Sequence, residues 1–299
     1  MATEPGQRLH ADRRLDDLLA IYRYAQRVIV AQVREALRSG DLVRANLRRA
    51  QLAAVLATLD QLQAETDQTA REIVRSAYVE GASTAATQIT RLSVEAPEIP
   101  GAFAGVSTEA VQALADSITD RLDGARRTVG RQVADIYARE QRRTALLSIL
   151  GAEGSPRTAA QGMAFRLLKD KQVRALARQG GVGFIDRAGK RWQLDTYAEM
   201  ATRTVVREAA VEGAKARMAS HGIDLARVSV SPNPCPICRP WQGRLVSLDG
   251  STADYQGEAV ASLSSLPNGG PPMHPRCTHS LQPVAVRIDA LRRELAGVA

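Results

Sequence analysis

Aromatic side chains are scarce in this sequence: three Phe, six Tyr and two Trp make up only 4% of 299 residues. A packed interior must then come mostly from Ala, Leu and Val, which favours helices over sheets. Lysine is nearly missing too, since 36 of the 40 basic residues are arginine. No uninterrupted apolar run approaches the ~18 residues of a membrane span. The opening stretch MATEPGQRLHADRRLDD is charged and has no apolar centre, so it does not read as a secretory signal. Cysteine is limited to three residues, and in the reducing cytosol this implies, such thiols are expected free or metal-bound rather than paired. A Gly-rich phosphate loop, G-x-S-x-G and H-E-x-x-H are all missing, which argues against the common hydrolase and nucleotide-dependent classes.

What is present suggests two domains, the natural prior for this length beside one large one, with 44% hydrophobic residues to fill the interior. The net charge of +8 is uneven. Residues 1–150 hold 20 basic and 19 acidic side chains, net +1, and residues 151–299 hold 20 and 13, net +7. The arginine fork suits phosphate or carboxylate partners, although a GC-rich coding sequence would produce the same bias. Positive charge of this size permits nucleic-acid contact without establishing it.

Hydrophobic periodicity divides the chain further. Leu15, Leu18, Leu19, Tyr22, Ile29, Val33 and Leu37 recur at helical steps from Ala11 to about Ser39, where SGD closes the segment. Leu52, Val55, Leu56, Leu59 and Leu62 form a second stripe, which Ile73, Val74, Ala77 and Tyr78 continue beyond the polar AETDQT. Residues 95–105, EAPEIPGAFAG, stop helix propagation. Ser107, Glu109 and Ala110 open a third run through Val111, Leu114, Ile118, Leu122, Val129, Val133 and Ile136, with Asp123-Gly124 as a point where it could bend. Residues 1–150 therefore read as an elongated region of long helices whose stripes would bury internally or against another chain.

Residues 151–299 read as a separate α+β domain. GAEGSPRTAAQG at 151–162 is a joint and AFRLLKDKQVRALARQ a helix. Val182, Phe184 and Ile185 alternate before RAGK, with Trp192 and Leu194 after it, which signals a hairpin. A long helix over TYAEMATRTVVREAAVEGAKARMASHG stops at Gly222, and LARVSV at 225–230 is a short strand. GEAVASLSSLPNGGPP, 257–272, reads as a loop.

The chemistry lies in two turns. Cys235 and Cys238 stand as C-x2-C among Pro234, Pro236 and Pro240, while His274 and Cys277 stand as H-x2-C around Pro275, with His279 an alternate ligand. A two-residue spacer lets both side chains of a tight turn point at one centre, and the prolines favour a knuckle over a helix. Three thiolates and one imidazole would close a tetrahedral zinc shell with no open position, a structural composition. The 35 intervening residues exceed what a small zinc finger needs, and loosely packed thiols with a hydrogen-bonded histidine are the plainer reading. Redox chemistry fits less well, because RPWQG follows Cys238 and no helix begins there to depress a thiol pKa. Zinc would supply on the order of 10 kcal/mol to a segment, 231–283, with few large apolar residues of its own.

Other conspicuous residues have ordinary explanations. Trp192 and Trp241 read as anchors of the hairpin and the knuckle. Arg203 and Arg207 share a helical face with Glu199 as an ion-pair ladder, and Glu208 with Glu212 as surface charge. RAGKR at 187–191 reads as a turn, and His10 and His221 sit at element ends.

Taken in order, the Asp-x-x-Gly-x-x-Trp hairpin, the helix with Arg203-Thr204, Glu208 and Gly213, the strand, C-x2-C followed by Trp-Gln-Gly, and His-Pro-x-Cys-x-His resemble the minor capsid and head-morphogenesis proteins of tailed bacteriophages, the group related to the Mu-type head protein. The resemblance covers about residues 160–285. It implies a structural, non-enzymatic virion component, made in the host cytoplasm and carried in the phage head in several copies. It further implies association with the portal protein or the major capsid protein; contact with packaged DNA is compatible with that role, and the lack of a long apolar run leaves no membrane span to expect. The distant fold similarity of this family to ADP-ribosyltransferases raises a rival, an effector enzyme, for which Glu208 is placed on a helix, the wrong element. A general nucleic-acid binder using the +7 half is the third reading.

Overall fold

The computed structural model describes residues 10–39, 45–92, 106–149, 183–186 and 189–284. The break expected at 95–105, the joint at 151–162, the helix at 164–179 and hairpin-tip residues 187 and 188 lie outside them. The described residues contain four long helices, α1 (His10–Ser39), α2 (Ala45–Leu92), α3 (Thr108–Ile149) and α4 (Leu194–Ser220). Eight short strands complete the regular structure: β1 (Gly183–Ile185), β2 (Arg191–Gln193), β3 (Leu225–Val228), β4 (Leu245–Ser247), β5 (Asp254–Tyr255), β6 (Glu258–Ala259), β7 (Ala261–Ser262) and β8 (Leu281–Pro283). The fold class is mainly helical in the N-terminal region and α+β towards the C-terminus, as the composition suggests.

Chain contacts group residues into two compact units, one of 16–68 and 119–199, the other of 1–15, 69–118 and 200–299. In the first, helical unit, the α1 stripe Leu18, Leu19, Tyr22, Ile29 and Val33 is buried, as are Val55, Leu59 and Leu62 of α2 and Leu122, Val129 and Val133 of α3. Leu56, expected on the same stripe, is 41% exposed. A Cβ on Gly130 would sit 3.1 Å from Leu56 and 3.5 Å from Leu59 side-chain atoms, so α3 packs directly on α2.

The polar stretch AETDQT does not interrupt α2. Thr66 is buried and its hydroxyl donates to the Leu62 carbonyl at 2.7 Å, so the polar atom is satisfied inside the helix that carries it. Around it lies a polar layer. Burial pushes the Tyr22 phenol up to about 12, against the lowering effect of the neighbouring Thr66 hydroxyl and of the nearby Arg126 charge. Arg126 is itself only 3% exposed and donates to Asp123 at 3.1 Å. Helix α3 runs through Asp123-Gly124 without a break.

The β1–β2 hairpin belongs to the same unit and pairs Phe184 with Trp192. One carboxylate builds its turn: Asp186 accepts from the Lys190 backbone N–H at 2.8 Å and from Trp192 Nε1 at 2.8 Å. Gly189 takes the φ of +78° that the turn requires, and the Trp192 ring meets Tyr197 edge-on with centroids 5.7 Å apart. The Asp-x-x-Gly-x-x-Trp pattern is thus a hydrogen-bonding device, with the tryptophan an anchor as expected.

In the second unit, the C-terminal half of α2 crosses α4 with backbones touching. A Cβ on Gly81 would lie 1.9 Å from the Ala210 carbonyl oxygen, and one on Gly213 would lie 2.0 Å from that of Tyr78. Only glycine permits that approach. Helix α4 ends in a left-handed cap at Gly222, with Ile223 N–H donating to Met218 O and Gly222 N–H to Ala219 O, both at 2.9 Å. Met218 and Ile223 then join one apolar cluster with Ala85 and Ile89 of α2, Val211 of α4 and Val228, Val246 and Leu281 of the sheet.

That sheet has the order β7-β4-β3-β8. Central β3 is antiparallel to β4 (Ala226↔Val246) and to β8 (Val228↔Leu281), while β4 runs parallel to β7 (Val246↔Ala261). The strand expected at 225–230 ends at Val228, and the stretch expected as loop supplies β6, β7 and two 3-10 turns.

Candidate metal centre

Sheet topology explains why two distant turns meet. The chain leaves the end of β3 at Val228 and returns along β4 at Leu245, so the C-x2-C turn sits in the loop beyond that end. Strand β8 is antiparallel to β3 and begins opposite Val228, so the segment holding His274 and Cys277 arrives at the same end. Two bonds tie the loops there: Ser229 N–H to Ser280 O and Ser280 N–H to Ser229 Oγ, each 2.9 Å. Val228 and Gly243 are joined in the same manner, with Gly243 N–H donating to Val228 O at 2.9 Å.

Each turn folds its own pair inward. Cys238 N–H donates to Cys235 O at 3.1 Å, and Cys277 N–H to His274 O at 3.0 Å, so both spacers are single turns of the same kind. Successive bonds from Trp241 and Gln242 to Cys238 O continue the first as a run of turns with no helix, the knuckle that the prolines suggested. Arg276 holds the second with a φ of +63°, and its backbone N–H reaches Thr204 Oγ1 of α4 at 3.4 Å.

All five named side chains converge. His274 Nε2 lies 3.2 Å from Cys235 Sγ and 3.1 Å from Cys238 Sγ; Cys238 Sγ lies 3.8 Å from Cys277 Sγ, which lies 3.7 Å from His279 Nδ1. They fall into two triads of mutually close donor atoms, Cys235/Cys238/His274 and Cys238/Cys277/His279, sharing Cys238. In a tetrahedral zinc shell with bonds of 2.0 to 2.3 Å, neighbouring ligand atoms stand about 3.3 to 3.8 Å apart. The sulfur–sulfur and Cys277–His279 separations fall in that range, and the His274 contacts lie slightly inside it.

Protonation supports the same chemistry. His274 Nδ1 is 2.8 Å from the Pro275 carbonyl, which can only accept, so Nδ1 carries the hydrogen and Nε2 presents its lone pair to two sulfurs. The Cys235 thiol is held below its ordinary range, first by the backbone N–H of Cys238, with the Ile237 N–H and the Arg239 charge adding to the effect. Cys238 is pushed far the other way, by burial and then by its neighbours Cys235 and Cys277. Burial, with the nearby His274, lowers His279. A thiol whose ionisation is opposed by two neighbouring sulfurs is one that a divalent cation would relieve. The donor set therefore fits a metal ion. It is a group that could hold one by residue type, distance and tautomer.

A family model for phage minor capsid protein 2 matches residues 10–294. The chain belongs to that family. No curated protein sequence and no solved structure matches it. As a phage minor capsid protein it is a structural component of the virion, and no described helix is long and apolar enough to cross a membrane.

In this capsid protein the remaining candidates occupy unremarkable places. Glu212 pairs with Lys215 at 2.8 Å, Glu208 lies half-buried on α4, and Trp241 packs against the apolar cluster. Three supporting groups were not legible as such from the residues: the Pro275 carbonyl that sets the His274 tautomer, the Ile237 amide beneath Cys235, and Thr204, noted only as part of the helix pattern, under the second turn. Backbone groups leave no mark in residue identity, and only the proline spacing hinted at the first.

Proposed function

We propose that this minor capsid protein acts as a structural, non-catalytic part of the phage head, associated with the portal or the major capsid protein, and that its Cys/His centre holds one zinc ion as a clamp. In this reading residues 1–150 form the helical region that reaches a partner, and residues 151–299 carry the clamp. The observation that carries it is the delivery of three sulfurs and two imidazoles to one end of a four-stranded sheet by two separate turns. Cys235, Cys238, Cys277 and His274 or His279 would be the ligands. Four protein donors around zinc leave no position for a substrate or an activated water, which suits architecture rather than hydrolysis. Contact with packaged DNA is compatible with the same role.

Cross-linking within intact virions tests the placement. Residues 1–150 contain no lysine, so the reagent must be carboxyl-directed or photoactivated. Links from residues 10–149 to the portal or major capsid protein are expected; links to tail proteins alone would overturn the head assignment.

A further inference from the structure

The two edges of the four-stranded sheet differ. Strand β7 ends it with two residues, a length that offers little to pair with. At the opposite edge, the pairing of β8 with β3 runs on past Leu281 to Ser280. Ser229 N–H donates to Ser280 O and Val284 N–H to Leu225 O, both at 2.9 Å, so residues 280, 282 and 284 are the ones turned to β3. Leu281 then turns its N–H and C=O to the open side, and Pro283 its C=O. Neither His279 nor Leu281 has a backbone partner on that side among the described residues.

A groove of about 410 Å³ lies beside this edge, lined by residues within 80–88 of α2, 207–214 of α4, the 229–233 loop and 278–282. Buried Gly81, Ala85, Val211 and Ala214 give it an apolar floor of small side chains. Val230, on the facing loop, is 60% exposed. His279 also lines the groove; it is 4% exposed, its Nδ1 is 3.7 Å from Cys277 Sγ, and its Nε2 has no partner.

We propose that the open edge of β8 and this groove take an extended, uncharged segment of another polypeptide as a fifth strand of the sheet. Backbone groups offered at two-residue steps are matched by another extended backbone. Charge narrows the occupant. Neither 228–238 nor 277–286 contains Asp, Glu, Lys or Arg, and Glu80 and Arg207 on the helical side are already engaged within the chain, so a charged side chain entering here would be desolvated without a partner. The small floor selects Ala, Val, Ser or Thr at alternate positions, and a hydroxyl or amide of the segment completes His279 Nε2. A second copy is the poorer occupant, because its own β8 lies in the same groove and two recessed edges do not meet. Which chain supplies the segment, the portal or the major capsid protein, rests on the head reading; the edge and the groove do not.

The test adds short overlapping synthetic peptides covering the portal and major capsid proteins to the full chain. At least one uncharged peptide should bind and slow exchange of the His279 and Leu281 amides about tenfold or more, while the Gln282 amide, turned to β3, changes little. N-methylation of alternate peptide residues should weaken binding about tenfold or more in one phase and not in the other, a readout that needs no variant to fold. Thr84→Trp, at an exposed position of α2 lining the groove, should block the peptide and leave metal content unchanged. No binding by any peptide, binding that leaves both amides unprotected, equal loss in the two phases, undiminished binding by Thr84→Trp, or a dimer paired through β8 would each overturn the proposal. Cross-links from residues 10–149 to the portal or major capsid protein with no peptide bound would defeat the groove and keep the head reading.

Discussion

The helical unit and the segment from 229 to 284 differ in how much apolar surface they own. Helix α1 alone buries Leu15, Leu18, Leu19, Tyr22, Ile29 and Val33 along thirty residues, and α2 and α3 present matching stripes. The 229–284 segment has strands of two or three residues, and beyond its short strands contributes mainly Leu263, Leu266, Met273 and two cysteines to the apolar cluster. At ~25 cal/mol per Å² of apolar area, burial carries the first region. The second sets much less apolar area against the entropy of ordering its turns. Regions of the first kind tolerate loss of a ligand; regions of the second kind need a cross-link, and here sulfur and imidazole are the groups placed to provide one.

This contrast can be broken most severely at the helix crossing. Gly213→Ala would drive a methyl group to 2.0 Å from the Tyr78 carbonyl oxygen. A cost of ~4 kcal/mol or more, or failure to fold, is expected in denaturant titration. Next in size, Leu62→Ala, at a fully buried site in the helical unit, should cost ~2 to 5 kcal/mol while leaving metal content unchanged; a matching loss of metal would show the two regions to be one cooperative unit. Asp186→Ala removes the acceptor of Trp192 Nε1 and of the Lys190 amide and should cost ~1 to 3 kcal/mol, with a red-shifted tryptophan emission from the loosened hairpin.

The smallest effect is expected from the Asp249 carboxyl, read as the difference from Asp249→Asn so that acid release of the Cys/His ligands is common to both. Ser251, through its hydroxyl and its backbone N–H, holds the Asp249 carboxyl down at about 2, from an ordinary 3.8. A depressed acid stabilises the fold above its unfolded value and loses that contribution as pH falls from about 4 towards 2. Amide exchange in the loop after β4 should therefore rise across that window before exchange in α1 does. Simultaneous opening would contradict the separation of the two regions.

The same contrast governs what could be read from the residues alone. Helical stripes were legible because period 3.6 repeats for many turns, and even there Leu56 stays 41% exposed at the edge of the α3 contact and the polar stretch around Thr66 hides a continuous helix. The hairpin and the glycine cap of α4 were legible from turn chemistry. The cysteines and histidines were legible as a set because their spacing is local within each turn. Their meeting depends on the Val228↔Leu281 register, a long-range pairing of three-residue strands that periodicity cannot carry. Strand β7 was missed for the same reason, since two residues have no period.

Metal analysis of the purified protein, followed by hydrogen exchange before and after chelation, tests the clamp most directly. The account predicts about one zinc per chain, lost in Cys238→Ser. It also predicts that chelation sharply accelerates amide exchange across 229–284 and leaves α1, the first half of α2 and α3 as protected as before. A metal-free protein whose 229–284 amides are already well protected would contradict it.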